Sequence, residues 1–127
     1  MTNEQKLRTC FDHLRNVFVE RNPWLPHYTG DDWVERYAND CFDTLSGNCI
    51  SYGAALGIMA RVIGYDNVWS CNSGGHGWCE IDGYVYDPEW SKYSDGNYFK
   101  RELTAEGGPN YEAAVDRSDD SLQHIRI

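Results

Sequence analysis

The stretch from residue 49 to residue 63, CISYGAALGIMARVI, constrains the fold of this chain more than any other. It is apolar or small almost throughout, too long for one strand, and closed by Gly64, a residue type that ends helices at the C′ position. Asn48 stands just before it and is a good N-cap. The pattern predicts a buried central helix. Glycine and alanine at positions 53, 54, 55, 57 and 60 leave little side-chain bulk, which suits a helix that a sheet approaches closely. Each glycine costs about 1 kcal/mol against alanine in a helix, and burial must offset that cost.

The segments on either side of this helix differ in kind. Upstream, Leu7, Cys10, Phe11, Leu14 and Phe18 recur at helical spacing, with Thr2 and Gln5 in the form of a capping box, so a first helix is expected over about 3–19. Asn22, Pro23, Trp24, Leu25 and Pro26 interrupt the helical pattern. Thr29, Gly30, Asp31 and Asp32 then supply caps for a second helix carrying Trp33, Tyr37, Cys41 and Leu45, which ends near Ser46 and Gly47. Downstream, residues 67–71, 76–81 and 84–87 read as strands, the last two joined by a tight Asp82-Gly83 turn. Helices first and strands after argue for an α+β fold, with an antiparallel sheet packed on the central helix. Beyond Trp90 the signals weaken: Tyr93, Tyr98 and Phe99 suggest an edge strand, and residues 106–109 and the tail from Asp116 read as loop. The length of 127 residues suits a single domain spanning 1–127.

Twenty acidic and eleven basic residues give a formal charge of -9, which repels phosphate backbones and anionic membrane surfaces. Nucleic acid and membrane are therefore not expected as partners. The N-terminus has no apolar signal-peptide core, and no 18-residue apolar run occurs, so a soluble chain without an address is expected. A domain cut from a longer exported or cell-surface protein would read the same way. The five cysteines form no CxxC pair and no dense disulfide ladder.

Cys49 opens the buried helix. Unpaired N–H groups and the positive end of the helix dipole favour thiolate there, which prepares a nucleophile, and the same N–H groups can stabilise an oxyanion. The hairpin supplies a base. With a two-residue Asp82-Gly83 turn, Ile81 faces Tyr84, Trp78 faces Asp87 and His76 faces Glu89. Asp87 then lies diagonal to His76 on one face, at a Cβ separation of about 7–8 Å or somewhat less, which an imidazole and a carboxylate can bridge. A carboxylate there fixes the histidine tautomer and supports the imidazolium.

Gly47-Asn48-Cys49 opening a helix that ends Ile63-Gly64-Tyr65-Asp66, then the segment from Gly75-His76-Gly77-Trp78 to Ile81, then Val85-Tyr86-Asp87-Pro88-Glu89-Trp90, resemble the core of bacterial transglutaminase-like domains. The resemblance covers about residues 30–90 and extends more loosely to the N-terminal helices. It implies a papain-like α+β fold, with N-terminal helices and a central helix packed against an antiparallel sheet. It also implies Cys49 as nucleophile, His76 as base and Asp87 as the group that orients the histidine. The shared step of the family is acyl transfer from a peptide or protein amide through a thioester. Its members include crosslinkers, peptidases and amidases, as well as members with no demonstrated chemistry, and no cofactor is implied. Cys79 stands where the family usually has an aliphatic residue. Trp33 and Tyr37 are candidates for a further oxyanion-hole group, with the core of the second helix as their other reading.

Two rival readings belong to other classes. Cys71, His76 and Cys79 form a C-x4-H-x2-C set, but the spacing fits no common zinc ribbon or finger, and strand alternation puts Cys79 on the face opposite His76. No metal and no cofactor is expected. A catalytically silent peptide-binding or structural module with the same fold is the other rival. Cys10 and Cys41 read as core, and His13, His27 and His124 as surface. Trp78 is expected to shield the histidine–aspartate pair or fill the core, and Glu80 either shares that face or is exposed at the sheet edge.

Overall fold

The computed structural model describes residues 1–23, 25, 32–94, 96–118 and 122–127. Helix α1 (Asn3–Asn16) starts at the Thr2–Gln5 capping box. It stops short of residue 19, with Val17 as its C-cap, whose N–H closes the last turn on the His13 carbonyl. The chain then leaves as β1 (Val19–Glu20). Helix α2 (Trp33–Thr44) starts at Asp32, whose carboxylate makes no cap hydrogen bond and pairs with Arg36 at 2.9 Å. The other caps expected for it, Thr29, Gly30 and Asp31, lie outside the described residues, as do Trp24, Pro26 and His27. Leu45 is not on the buried side of α2. It takes the left-handed C-cap conformation (φ 52°) and is 54% exposed. Ser46 and Gly47 form β2 (Ser46–Gly47), which pairs in parallel with β1.

Helix α3 (Cys49–Ile63) has the bounds that its composition predicts, from the Asn48 cap to Gly64 at φ 129°. It is followed by β3 (Val68–Asn72), β4 (Gly77–Ile81) and β5 (Tyr84–Tyr86). The β4–β5 register sets Ile81 opposite Tyr84, Glu80 opposite Val85 and Cys79 opposite Tyr86. Asp82 (φ 52°) and Gly83 (φ 84°) both have positive φ, as a type I′ turn requires. The five-stranded sheet has the order β6-β5-β4-β3-β7, with every neighbouring pair antiparallel. The architecture is α+β.

The small residues of α3 do what their size allows. A Cβ on Gly53 would lie 2.7 Å from the Trp78 carbonyl carbon, and one on Gly77 would lie 2.6 Å from the Ile50 Cα. Helix and strand therefore touch backbone to backbone. On this face, Val68, Cys79, Ile81 and Tyr86 pack with Leu56, Ala60 and the buried side of α1. Trp33, Val34, Tyr37 and Ala38 of α2 pack on Ile50 and Ala54 of the same helix.

The segment after Trp90 departs most from expectation. Pro88–Tyr93 is a helix, α4, and Tyr93 is exposed. Tyr98 and Phe99 are buried but form no strand, and the edge strand is β6 (Arg101–Glu102). Residues 106–109 are loop, followed by the short helix α5 (Tyr111–Ala114). The tail, expected as loop, contributes β7 (His124–Arg126), which covers the free edge of β3. Tyr98, Tyr111 and Val115 pack with Cys71, Trp78 and Val85 on the sheet face opposite α3. The sheet is thus covered on both faces. Among the described residues no helix is long and apolar enough to cross a membrane.

Candidate functional site

Cys49 is the first residue of α3 and is partly buried. The Asn48 side chain accepts from the N–H groups of Ile50 and Ser51, each at 3.1 Å, and the Ser51 hydroxyl accepts in return from the Asn48 N–H. The cap therefore engages the two amides beyond Cys49 and fixes the helix end that carries the thiol.

The close approach of Gly77 to Ile50 brings the start of β4 against that helix end, and His76 is the residue just before Gly77. A tight turn holds it there. The Ser73 N–H donates to the His76 carbonyl at 2.9 Å, the His76 N–H donates to the Ser73 hydroxyl at 3.1 Å, and the Gly74 N–H donates to Asn72 Oδ1 at 2.9 Å. A ring nitrogen of the imidazole lies within 4.8 Å of the Cys49 sulfur. Its ring lies 6.0 Å from Trp78, near-parallel, and 5.4 Å from Trp90, edge-on.

Asp87 is fully buried and follows β5. Its Oδ2 meets His76 Nε2 at 2.6 Å and accepts from the Tyr111 hydroxyl at 2.6 Å, while Oδ1 accepts from the Trp90 N–H at 3.0 Å and caps α4. Three partners on one carboxylate leave it little freedom to turn. With Nε2 committed to Asp87, Nδ1 is the ring nitrogen left for the thiol. Burial opposes protonation of His76, but the Asp87 hydrogen bond and the charges of Asp87 and Cys49 outweigh it and raise the pKa to about 10. Burial first, then the Asp87 charge, pushes the Tyr111 hydroxyl far above its ordinary range, so it stays a proton donor. Cys49, His76 and Asp87 are thus together, in the order cysteine, histidine, carboxylate.

Glu89 completes the edge of this cluster. Donor atoms of Cys49, His76 and Glu89 all lie within 4.8 Å of one another, and all three residues are partly exposed. The expected strand pairing of Glu89 with His76 does not form, because β5 ends at Tyr86 and Glu89 lies in α4, whose first turn brings it to the cluster instead. Glu20, exposed as a residue, has its carboxyl pushed up to about 8, by desolvation first and then by the hydrogen bond and charge of Glu89, against the pull of Lys92.

A second polar group lies on the same sheet face, deeper in. Glu80 is not exposed at a sheet edge but only 5% accessible. It accepts from Trp78 Nε1 at 2.8 Å, pairs with Arg117, and lies 3.3 Å from His124 Nε2. Desolvation would raise its pKa, but hydrogen bonds from His124, Arg117 and Trp78 lower it to about 2. His124, expected at the surface, is 7% accessible and stacks on Trp69 at 4.2 Å. Burial on β7 displaces it from solvent. Trp78 both packs on His76 and holds Glu80, and it is fully buried.

The other candidates fall elsewhere. Trp33 and Tyr37 belong to the core around Ile50 and Ala54, with Trp33 Nε1 donating to the Leu122 carbonyl at 3.0 Å. The C-x4-H-x2-C set is divided between two faces: Cys79 packs toward Gly57 of α3, while Cys71 joins Glu80 and His124. Cys41 is core, Cys10 is partly buried, and His13 is exposed. Burial pushes up the thiols of Cys10, Cys41, Cys71 and Cys79, that of Cys41 to about 12. Tyr111, Arg117 and Glu20 carry no local motif that would single them out in the sequence.

Compared with known proteins, the chain matches no family model, no curated protein and no solved structure.

Proposed function

We propose that this protein is a cysteine-dependent acyl-transfer enzyme acting on peptide or protein amides, of the transglutaminase-like, papain-related kind. The observation that carries the reading is the approach of the Cys49 sulfur and a His76 ring nitrogen to within 4.8 Å, backed by the 2.6 Å contact from His76 Nε2 to the buried Asp87. Support also comes from the setting, a cysteine at the capped start of a buried helix lying against an antiparallel sheet.

In this reading the Cys49 thiolate attacks an amide carbonyl while imidazolium His76 holds the proton. That proton passes to the leaving amine, and the acyl group stays on sulfur as a thioester. Asp87 keeps the imidazole in one tautomer and stabilises its charge. The Cys49 amide, which the Asn48 cap does not engage, is the backbone donor nearest the sulfur for the oxyanion. Water or an amine then resolves the thioester, with neutral His76 as base. The test is an acylating activity probe followed by mapping of the modified residue. The expected label is on Cys49, and it should be lost in His76→Ala. A folded protein that leaves Cys49 unlabelled would instead be a catalytically silent module.

A further inference from the structure

We propose that Cys49, His76 and Glu89 form a reversible zinc site that switches the thiol off. The three donor atoms lie within 4.8 Å of one another. A tetrahedral zinc, with Zn–S about 2.3 Å and Zn–N or Zn–O about 2.0–2.2 Å, sets its donors roughly 3.3–3.7 Å apart. Side-chain rotation of the three partly exposed residues would have to close that difference. Sulfur, imidazole nitrogen and carboxylate oxygen together suit zinc, whereas magnesium and calcium require oxygen donors. All three residues are partly exposed, so a metal can enter and a fourth position can hold water.

The surroundings favour a metal-binding histidine. A ligand imidazole usually has its other nitrogen held by a carboxylate, which fixes the ring and raises its donor strength. His76 Nε2 is held in this way by Asp87, which is itself held by Tyr111 and the Trp90 N–H. The sheet's other cysteine, glutamate and histidine grouping, Cys71, Glu80 and His124, is fully buried, and Arg117 already neutralises Glu80 there. It offers no access to a metal.

The metal site stands on this geometry alone, and its role as a switch rests on the thiol reading of Cys49. Zinc bound to the sulfur and to Nδ1 occupies both the nucleophile and its base, so bound protein is inactive and a chelator restores it.

The test uses the whole chain, titrated with Zn²⁺ and separately with Co²⁺. Cobalt is followed by its thiolate charge-transfer absorption, and Cys49 by its alkylation rate from peptide mapping. The expected result is one cobalt per chain, with the band lost in Cys49→Ser. Binding should weaken at least about tenfold in Glu89→Gln and about 10–100-fold in Asp87→Asn, the range for loss of a group that supports a metal ligand. Cys49 alkylation should fall with zinc occupancy and recover with chelator. Unchanged affinity in Cys49→Ser or in Glu89→Gln, with the fold intact by circular dichroism, overturns the site. Fast alkylation of metal-free Cys49 with no cobalt band overturns the metal site and leaves the thiol reading standing. Slow alkylation of metal-free Cys49 with an intact band keeps the site and overturns the thiol reading.

Discussion

The sheet face opposite α3 and the adjoining end of that helix hold two groupings of the same residue types. Cys49, His76 and Glu89 are each partly exposed, whereas Cys71, Glu80 and His124 are all buried. The inner group is electrostatically closed: Arg117, Trp78 and His124 satisfy Glu80, and burial pushes the Cys71 thiol well up, where it stays protonated. The outer group is open, with a thiol at a helix start, an imidazole anchored on one nitrogen only, and a glutamate at the rim. Residue identity alone does not separate the two. Access, and whether a counter-charge is built in, makes one a candidate for chemistry and the other a staple for the fold.

The largest effect expected from this contrast is on acyl transfer. With an activated acyl ester as substrate, Cys49→Ala and His76→Ala should each nearly abolish thioester formation, while Cys71→Ala should leave it intact and cost about 1–2 kcal/mol of stability. Asp87→Asn should reduce turnover by a factor on the order of 10³–10⁴, and the losses should not add, because the three residues act as a unit. The pH profile sharpens the point. The raised pKa of His76, about 10 against an ordinary 6.5, keeps its proton through neutral pH. Its contribution to stability is complete below about 6.5 and is lost as pH rises through about 10. Alkylation of Cys49 at neutral pH should therefore depend on His76, and His76→Ala should slow it. Wild-type acyl transfer in Cys49→Ala with loss in His76→Ala would sink the thiol mechanism.

The inner group is tested by stability instead. Glu80→Gln leaves Arg117 without its carboxylate in a largely desolvated setting and should cost about 2–4 kcal/mol, somewhat less than a fully buried pair because Arg117 keeps 26% of its side-chain surface exposed. The Glu80 pKa is depressed from 4.5 to about 2, so its contribution is present above about 4.5 and lost as pH falls toward about 2. Wild-type protein should lose stability over that window, and Glu80→Gln should lose less. Parallel acid melting curves for the two proteins would show that this network is no staple.

What could be read from the sequence was what local signals specify. Helix α3 announces itself through its cap, its small residues and Gly64. The hairpin follows from Asp82-Gly83, and its register carries Asp87 to the strand end beside His76, whereas Glu89 lies in α4, beyond the paired residues. Replacing Gly83 (φ 84°) with valine should cost about 1–3 kcal/mol in a thermal melt and loosen the His76–Asp87 contact. An unchanged melt would mean that another element sets this register. The segments that could not be read depend on partners far along the chain. His124 looks like a polar tail residue until β7 pairs with β3, and the choice between a shared face and an exposed edge for Glu80 is decided only when Arg117 arrives to neutralise it. Tyr111 follows Pro109-Asn110 in a segment with no clear signal, and only the packed sheet face shows that its hydroxyl reaches Asp87.

Tyr111 joins the two groups, and the smallest predicted effect is the one that measures the joint. Its hydroxyl donates to Asp87 in the outer group, while its carbonyl accepts from Arg117, which pairs with Glu80 in the inner one. Tyr111→Phe removes only the first link and keeps the ring packed on Trp78. The lost hydrogen bond to a charged acceptor should cost about 1–2 kcal/mol. Asp87 would still hold His76 and the Trp90 N–H, so Cys49 alkylation should change by only a few-fold, and the acid melting window set by Glu80 should not move. If the window shifts with Tyr111→Phe, the two groups are one network and the division between them is wrong. If alkylation falls as far as in Asp87→Asn, Tyr111 positions Asp87 more than its other two partners do.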